Sequence, residues 1–556
     1  MKKYYVISML LILCGCQPKQ SWFDSELSSP LLSARTVKEI SSVNPTDKTY
    51  GGGRGTDQLV VYTSSHGQNT QTNVWGVEAT VDNGKVVKIG GNNSTIPTNG
   101  FVISGNEKGR LWIIENLEIG MEVELKGSKL HCSWSENSNI IKARDFFQRA
   151  KRRIEKNKDV QEECIKETSS TIQNAYNLLV DAKRSNDTIS TREISRQMAD
   201  AAQKLYYHSF VPKESEFKGV WIRLADKNQE ELKATIKKIA DTGFNAIVPE
   251  TIYNGYAIYP NAHPLLPQLP QFEDWDPMQL MIDECKKYDI KVIPWCEIFF
   301  VGQSNSPIVK NKPEWIGEFR TGKVYAELEA GFHYLCPSND EAKKFIITAI
   351  DTLLSRYELK DVQYDYIRYS RSKPWDKGAC YCDNCQRKVL KTYGFDIMKI
   401  SPDCQEEWAK WNEYRISNIT GFVEMSRKLF NKKYPSVNFS VDVVSDPSES
   451  LEQKFQDWSS WVKFNLIDEA YIMNYYVDNT SFRKDTEHLR QVVEGTEVAP
   501  IVGLGPYLKL RPDILLEQVE ISRQNGAEGV CMFAFNSMNE EQLKALRYGP
   551  FRKVKK

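Results

Sequence analysis

The segment KDVQYDYIRYS, residues 360–370, has the apolar and aromatic character of a buried strand, yet it closes on Asp365 and Arg368. Alternation along a strand places Gln363 and Asp365 on one face and Val362, Tyr364 and Tyr366 on the other. Other short apolar runs end in the same way. They carry Trp221 and Arg223, Glu250 followed by Asn254 and Tyr259 in IYNGYAIYP, Trp295 and Glu297, Asp442, Asn474 and Tyr475, and Asn536. Carboxyl groups transfer protons and support an oxocarbenium-like centre, and aromatic faces stack on sugar rings. Neither H-E-x-x-H nor G-x-S-x-G occurs. The pattern points to glycoside chemistry with Asp365, Glu297 and Asp442 as catalytic candidates. Trp221, Arg223, Glu250, Asn254, Tyr259, Trp295, Arg368, Tyr369, Asn474, Tyr475 and Asn536 are the candidates for holding substrate.

Residues so placed need a scaffold that gathers strand ends. From residue 217, eight short apolar strands alternate with longer amphipathic stretches: FKGVWIRL, NAIVPETIY, KVIPWCEIFF, DVQYDYIRYS, VNFSVDVVS, IDEAYIMNYYV, APIVGLGPY and GVCMFAFNS. Such alternation implies parallel β–α units. Eight of them across residues 213–556 predict a (β/α)8 TIM barrel, whose chemistry sits at the C-terminal ends of its strands. A doubly wound sheet would bring a glycine-rich phosphate loop, and GVWIRLADKNQ has none. Residues 49–135 read as a small β-rich domain, with alternating segments and Asn-Gly turns. Residues 136–212 read as a helical connector, with apolar positions such as Ile154, Leu178, Leu179 and Met198 at helical spacing.

The 556 residues are 41% hydrophobic and 26% charged, and 73 basic side chains balance 73 acidic ones. A neutral chain gives no electrostatic reason to expect nucleic acid as a partner. The start, MKKYYVISMLLILCGC, joins two lysines to an apolar run too short to span a bilayer. Its Leu-x-Gly-Cys ending resembles the bacterial lipobox. The resemblance implies that residues 1–15 are a signal peptide, that Cys16 is lipidated, and that a lipid anchor makes the membrane a partner. Gln17 is not the aspartate that retains lipoproteins at the inner membrane, so the expected location is the outer membrane, on its periplasmic or surface face. Residues 16–48, rich in Ser and Pro, read as a tether.

Longer segments resemble a known family. NVWGVEATVDNGKVVKIGGNNSTIPTNGFVISG, KGVWIR, GFNAIVPETIYNGYAIYP, DPMQLMIDECKKYDIKVIPWCEIFF, KPEWI, RTGK and WNEYRISNITGFV are similar to the bacterial family 10 glycosyl-hydrolase-like lipoproteins. That resemblance implies a TIM-barrel glycosidase fold and a polysaccharide substrate, and some members are implicated in cleaving peptidoglycan glycan strands. Glu297 matches the glutamate of the family's Pro-Trp-x-Glu strand, and Asp365 the first aspartate of its fourth-strand motif. Where the family often has a second aspartate this chain has Tyr366, and Asp442 stands where many members have no acid. The expected function is a glycoside hydrolase for an envelope or imported polysaccharide. The alternative is a non-catalytic glycan-binding lipoprotein on the same barrel. In the expected division of labour, Asp365 stays ionised near Arg368. Glu297, flanked by Trp295 and Phe299, donates the proton, and Asp442 is held in reserve. Catalysis needs no cofactor in this reading.

Cys380, Cys382 and Cys385 form Cys-x-Cys-x-x-Cys just after the fourth strand, and Cys336 in HYLCPSN is the best fourth partner. Four thiolates suit structural zinc, whereas an oxidising compartment favours one or two disulfides. The arrangement resembles the zinc clip of family 42 β-galactosidases. Cys404 is a substitute ligand.

Overall fold

The computed structural model describes residues 59–553 apart from 74–75, 127–128 and 158–161, together with the backbone of two earlier strands. The signal-peptide and Cys16 expectations lie outside the described residues. The two earlier strands, β1 (Arg35–Ile40) and β2 (Val43–Thr46), fall in the segment read as a tether. They pair with β8 (Lys129–Trp134) and β3 (Leu59–Thr63) at opposite ends of one sheet.

The sheet between those ends holds β4 (Gly76–Asp82), β5 (Lys85–Ile89), β6 (Gly100–Asn106) and β7 (Glu122–Lys126), curved into an antiparallel half-barrel. Asn83 and Gly84 join β4 to β5 with φ of 48° and 73°. Two consecutive positive φ values define the hairpin turn that Asn-Gly favours. A ten-residue helix, α1 (Glu107–Asn116), interrupts the block read as β-rich. Asn106 caps it through its side chain. A Cβ at Gly105 would stand 2.4 Å from the Gly109 carbonyl carbon, so glycine lets the first turn of α1 lie against its own strand.

Three helices come next: α2 (Glu136–Lys156), α3 (Glu162–Arg184) and α4 (Thr188–His208). The barrel then runs through β9 (Phe217–Ile222), α5 (Gln229–Thr242), β10 (Ala246–Tyr253), its hairpin partner β11 (Tyr256–Ala257) and α6 (Pro277–Lys286). The third strand is split at Ile293-Pro294 into β12 (Lys291–Val292) and β13 (Trp295–Glu297). A long insertion carries β14 (Phe300–Gly302), α7 (Pro307–Asn311) and β15 (His333–Tyr334) before α8 (Asp340–Tyr357). Beyond it lie β16 (Asp361–Asp365), α9 (Asp383–Tyr393), α10 (Gln405–Lys433), β17 (Asn438–Val444), α11 (Trp458–Lys463) and β18 (Glu469–Met473). The chain ends with α12 (Asn479–Val493), β19 (Ala499–Leu504), α13 (Pro512–Gln524), β20 (Gly529–Met532) and α14 (Glu540–Tyr548).

β20 pairs with β9 and β9 with β10, so eight parallel strands close into the TIM barrel the sequence predicts. Side chains fill its interior, among them Trp221, Val248, Trp295, Tyr471 and Ile501. The connector shares the core of the barrel's outer layer through Phe146, Tyr206 and Phe210. Arg149 of α2 donates to Asp513 and Glu517 of α13, both at 2.8 Å.

Candidate active site

Register along the closed sheet decides which acids meet. Glu250 stands opposite Trp295, Glu297 opposite Asp365, and Tyr364 opposite Val441, which sets Asp365 beside Asp442. Inward alternation therefore brings Glu250, Glu297, Asp365 and Asp442 to the C-terminal mouth from four consecutive strands. Trp221, on the first strand, lies below them and donates from Nε1 to Gln363 Oε1 at 2.6 Å, which forms a polar floor.

A cavity of about 170 Å³ opens above this floor, lined by Trp221, Arg223, Trp295, Asp365, Tyr366, Arg368, Asp442, Met473, Tyr475 and Phe533. Drug-sized ligands take roughly 300–1,000 Å³, so this space suits one sugar ring rather than an oligosaccharide. Tyr475 and Phe533 stack with centroids 5.4 Å apart, and exposed Tyr507 stands edge-on to Phe533 at 5.7 Å. Aromatic walls of this kind present apolar faces to the C–H side of a sugar. A larger cavity of about 670 Å³ lies elsewhere, between the connector and α14. Its polar groups, such as Lys204, Asp241, Arg547 and Arg552, come from helices or from the residues after α14, and none comes from a strand end.

The four acids differ in environment. Asp365 accepts from the Tyr366 amide at 2.5 Å and from Trp295 Nε1 at 3.2 Å. Burial raises its pKa, while these two donors and the Arg368 and Arg223 charges pull the other way. Asp442 has no such support. Burial pushes its pKa well above the carboxylate range, the Asp365 charge adds to the rise, and its Oδ1 has no hydrogen-bond partner among the described residues. Glu297 is likewise held well above its ordinary value, by burial and then by Glu250 and Asp365. Its Oε2 accepts from the Asn254 amide at 3.3 Å, and it does not line the cavity. Glu250 is buried and accepts Arg223 Nε on both oxygens at 2.9 Å. The Arg223 guanidinium lies over Trp295 and Phe533 at 5.4 and 5.5 Å, so Arg223 spans from the buried acids to the rim. Asn536 accepts from the Arg223 amide at 3.1 Å.

Some expected residues are not brought to the cavity. Tyr366, placed by alternation on the outer face, lines it instead. Its φ is 49°, a left-handed conformation that ends the strand and reverses the facing of residues 367–370. Tyr369 is consequently buried near Asn418 Nδ2, 3.4 Å from its hydroxyl, on the side of the cysteine cluster. Asn474 is turned into α12, where Nδ2 donates to Phe482 O at 2.9 Å and Thr486 Oγ1 at 3.0 Å. The chain after β10 folds back as a hairpin, pairing Ile252 with Ala257. This carries Tyr259 outward to pack edge-on against Tyr357 at 5.4 Å. Asn254 sits at the hairpin tip and meets Glu297 through its backbone. Gly255 beside it has φ 77°, and a Cβ there would meet Ser306 Oγ at 2.3 Å. Phe299 packs on Phe422 outside the barrel rather than against Glu297.

Arg368 also has a partner the sequence did not suggest. It pairs with Glu329, from the long insertion, at 3.1 Å. Glu329 also takes Lys454 at 2.5 Å and the Tyr334 hydroxyl at 2.5 Å. The two cations hold Glu329 at a pKa of about 2, against the opposing effect of its burial. Met473, Tyr507 and Phe533 lie within the sixth, seventh and eighth strand runs already in view, whereas Glu329 lies in a loop that leaves no local signal.

The four expected cysteines do come together: the Sγ atoms of Cys336, Cys380, Cys382 and Cys385 lie within 4.8 Å of one another. Cys404 is not in the group.

The family model described as glycosyl hydrolase-like 10 matches residues 216–504. No curated protein matches the chain. Among solved structures, the chain is similar to the PgaB glycoside hydrolase domain from Bordetella bronchiseptica at 15% identity and a TM-score of 0.47, over 60% of this chain and 98% of that one. It is similar to the catalytic domain of β-amylase from Paenibacillus polymyxa at 11% identity and a TM-score of 0.43, over 60% and 95%. A β-galactosidase from Halorubrum lacusprofundi is similar at 10% identity and a TM-score of 0.42, over 59% and 56%.

Proposed function

The chain belongs to the glycosyl hydrolase-like 10 family, and from that premise we propose that it hydrolyses glycosidic bonds in an envelope or imported polysaccharide, such as peptidoglycan glycan strands. The observation that supports this most directly is the pair Asp365 and Asp442, neighbours on adjacent strands, both open to one ring-sized cavity and unlike in charge environment. Asp365 has two N–H donors and the nearby Arg368 and Arg223 charges, so it carries the negative charge that supports an oxocarbenium-like centre. Asp442 is buried without a cation and keeps its proton, ready to give it to the leaving oxygen. The expected donor, Glu297, also keeps a proton, but it faces Glu250 and the Asn254 amide rather than the cavity. In this proposal Glu250 holds Arg223, and Arg223 and Arg368 set the field at Asp365.

The cavity takes one ring, and the rest of a polymer crosses the rim over Tyr507 and Arg223. Attachment by a lipid at Cys16 would place this rim on a membrane-tethered protein, next to envelope glycans. The experiment is incubation of the full soluble chain with peptidoglycan strands, with and without stem peptides, and with plant and host polysaccharides. New reducing ends that vanish in Asp365→Asn support the hydrolase. Binding without cleavage in every case turns the reading to a glycan-binding lipoprotein.

A further inference from the structure

We propose that Cys336, Cys380, Cys382 and Cys385 form a closed tetrathiolate zinc site, with Arg415 as its buried counter-cation, that ties the loop before α8 to the loop after β16. Cys336 Sγ lies 3.5 Å from Cys385 Sγ and 3.6 Å from Cys382 Sγ. A tetrahedron of zinc–sulfur bonds of about 2.3 Å has edges of about 3.8 Å. Sulfurs joined in a disulfide lie at about 2.05 Å. The spacing is that of ligands around a common centre.

Charge gives the second, independent reason. Arg415 projects from α10 and is 1% exposed. Its Nη1 donates to the carbonyl of Ala379, the residue before Cys380, at 3.2 Å, and Nη2 donates to Asn412. Phe455 and Trp411 cover it at 3.7 and 4.9 Å. No carboxylate pairs with it among the described residues, and its buried Nε has no hydrogen-bond partner there. A guanidinium does not give up its proton, and burying one unpaired is costly. Four neutral thiols, or two disulfides, leave it uncompensated. Zn²⁺ with four thiolates carries a net charge of −2, each thiol having released its proton to solvent on binding, and Arg415 is then matched. All four ligand positions come from the chain, so the site is structural and leaves no open position for chemistry.

The site joins the loop that brings Arg368 to the cavity wall to the loop whose Glu329 and Tyr334 back it from behind. The loops also meet where the Tyr381 amide donates to Glu318 O at 2.6 Å.

The test uses the full soluble chain, purified from zinc-supplemented culture without a chelating resin. Elemental analysis should give about one zinc per chain, and cobalt exchange should give the sulfur-to-cobalt absorption of a tetrahedral tetrathiolate. The Cys336→Ser, Cys385→Ser double variant should lose the metal. Arg415→Gln keeps all four ligands and should weaken zinc retention against a chromophoric chelator by about tenfold or more, as loss of an outer-shell partner does. If the cysteine variant does not fold, metal content and the cobalt spectrum of the native sequence still decide. Recovery of these thiols as disulfides in a non-reducing digest overturns the site, as does a metal-free protein with four alkylatable thiols. Unchanged zinc retention in Arg415→Gln overturns the counter-cation.

Discussion

The indole of Trp295 donates from Nε1 to Oδ2 of Asp365 at 3.2 Å, across two paired barrel strands. The bond fixes one carboxylate oxygen while the Tyr366 amide fixes the other. Asp365 is thus oriented before any substrate arrives. Asp365→Asn keeps the shape and removes the charge. Turnover on a cleavable glycan is expected to fall by several orders of magnitude, with the melting temperature little changed. Retention of most activity would remove Asp365 from the mechanism.

Asp442 separates from Asp365 by substrate choice. A proton donor matters little when the leaving group needs no proton. Asp442→Asn should therefore lose most activity on natural glycans and keep far more on an aryl glycoside with an acidic phenol. Equal losses on both substrates would return the donor role to Glu297, which Glu297→Gln would then show by the same comparison.

The pH profile should be a bell whose limbs belong to this pair. Burial and Asp365 raise Asp442, so activity falls as pH rises through the raised Asp442 value and its proton is lost. It also falls at low pH, as Asp365 protonates somewhat above the ordinary aspartate range. A pH–rate series of kcat/KM checks both limbs. An alkaline limb that persists in residual Asp442→Asn turnover would assign it to another group.

Stereochemistry should reflect strand spacing. Neighbouring strands lie about 4.8 Å apart, and Asp365 and Asp442 are lateral neighbours, whereas an inverting pair stands about 6.5–9.5 Å apart. Net retention is expected. Proton NMR of the first-formed anomer reads it directly, and inversion would mean that a more distant acid acts.

Glu329 gives a stability prediction with a definite sign. Its folded pKa of about 2 lies below the unfolded glutamate value. Its contribution is therefore present above about pH 4.3 and is lost as pH falls toward 2. Glu329→Gln leaves Arg368 and Lys454 buried without their anion, a change expected to cost roughly 3–5 kcal/mol. Urea denaturation at neutral pH and near pH 3 should show the native protein losing part of that difference in acid.

Much of the site was legible because a barrel turns local alternation into convergence. Strand-end residues such as Glu297, Asp365 and Asp442 needed only the period of two and the count of eight to be placed together. The reading failed where the backbone leaves that period. The left-handed turn at Tyr366 exchanged the facing of Tyr366 and Tyr369, and the hairpin at Asn254–Gly255 sent Tyr259 outward. Helix α1 was hidden because its residues, EKGRLWIIEN, give no clear amphipathic stripe. Glu329 could not be found by pattern, since nothing local distinguishes an acid in the long insertion from a solvated one.

The pairing of β20 with β9 bears on synthesis as well as on shape. A ribosome makes β9 first and β20 last, so the growing sheet keeps two unpaired edges until residue 532 has emerged. Exposed edges recruit other chains. Until that pairing forms the barrel sheet has two open edges, and the final strand acts as the clasp that closes them.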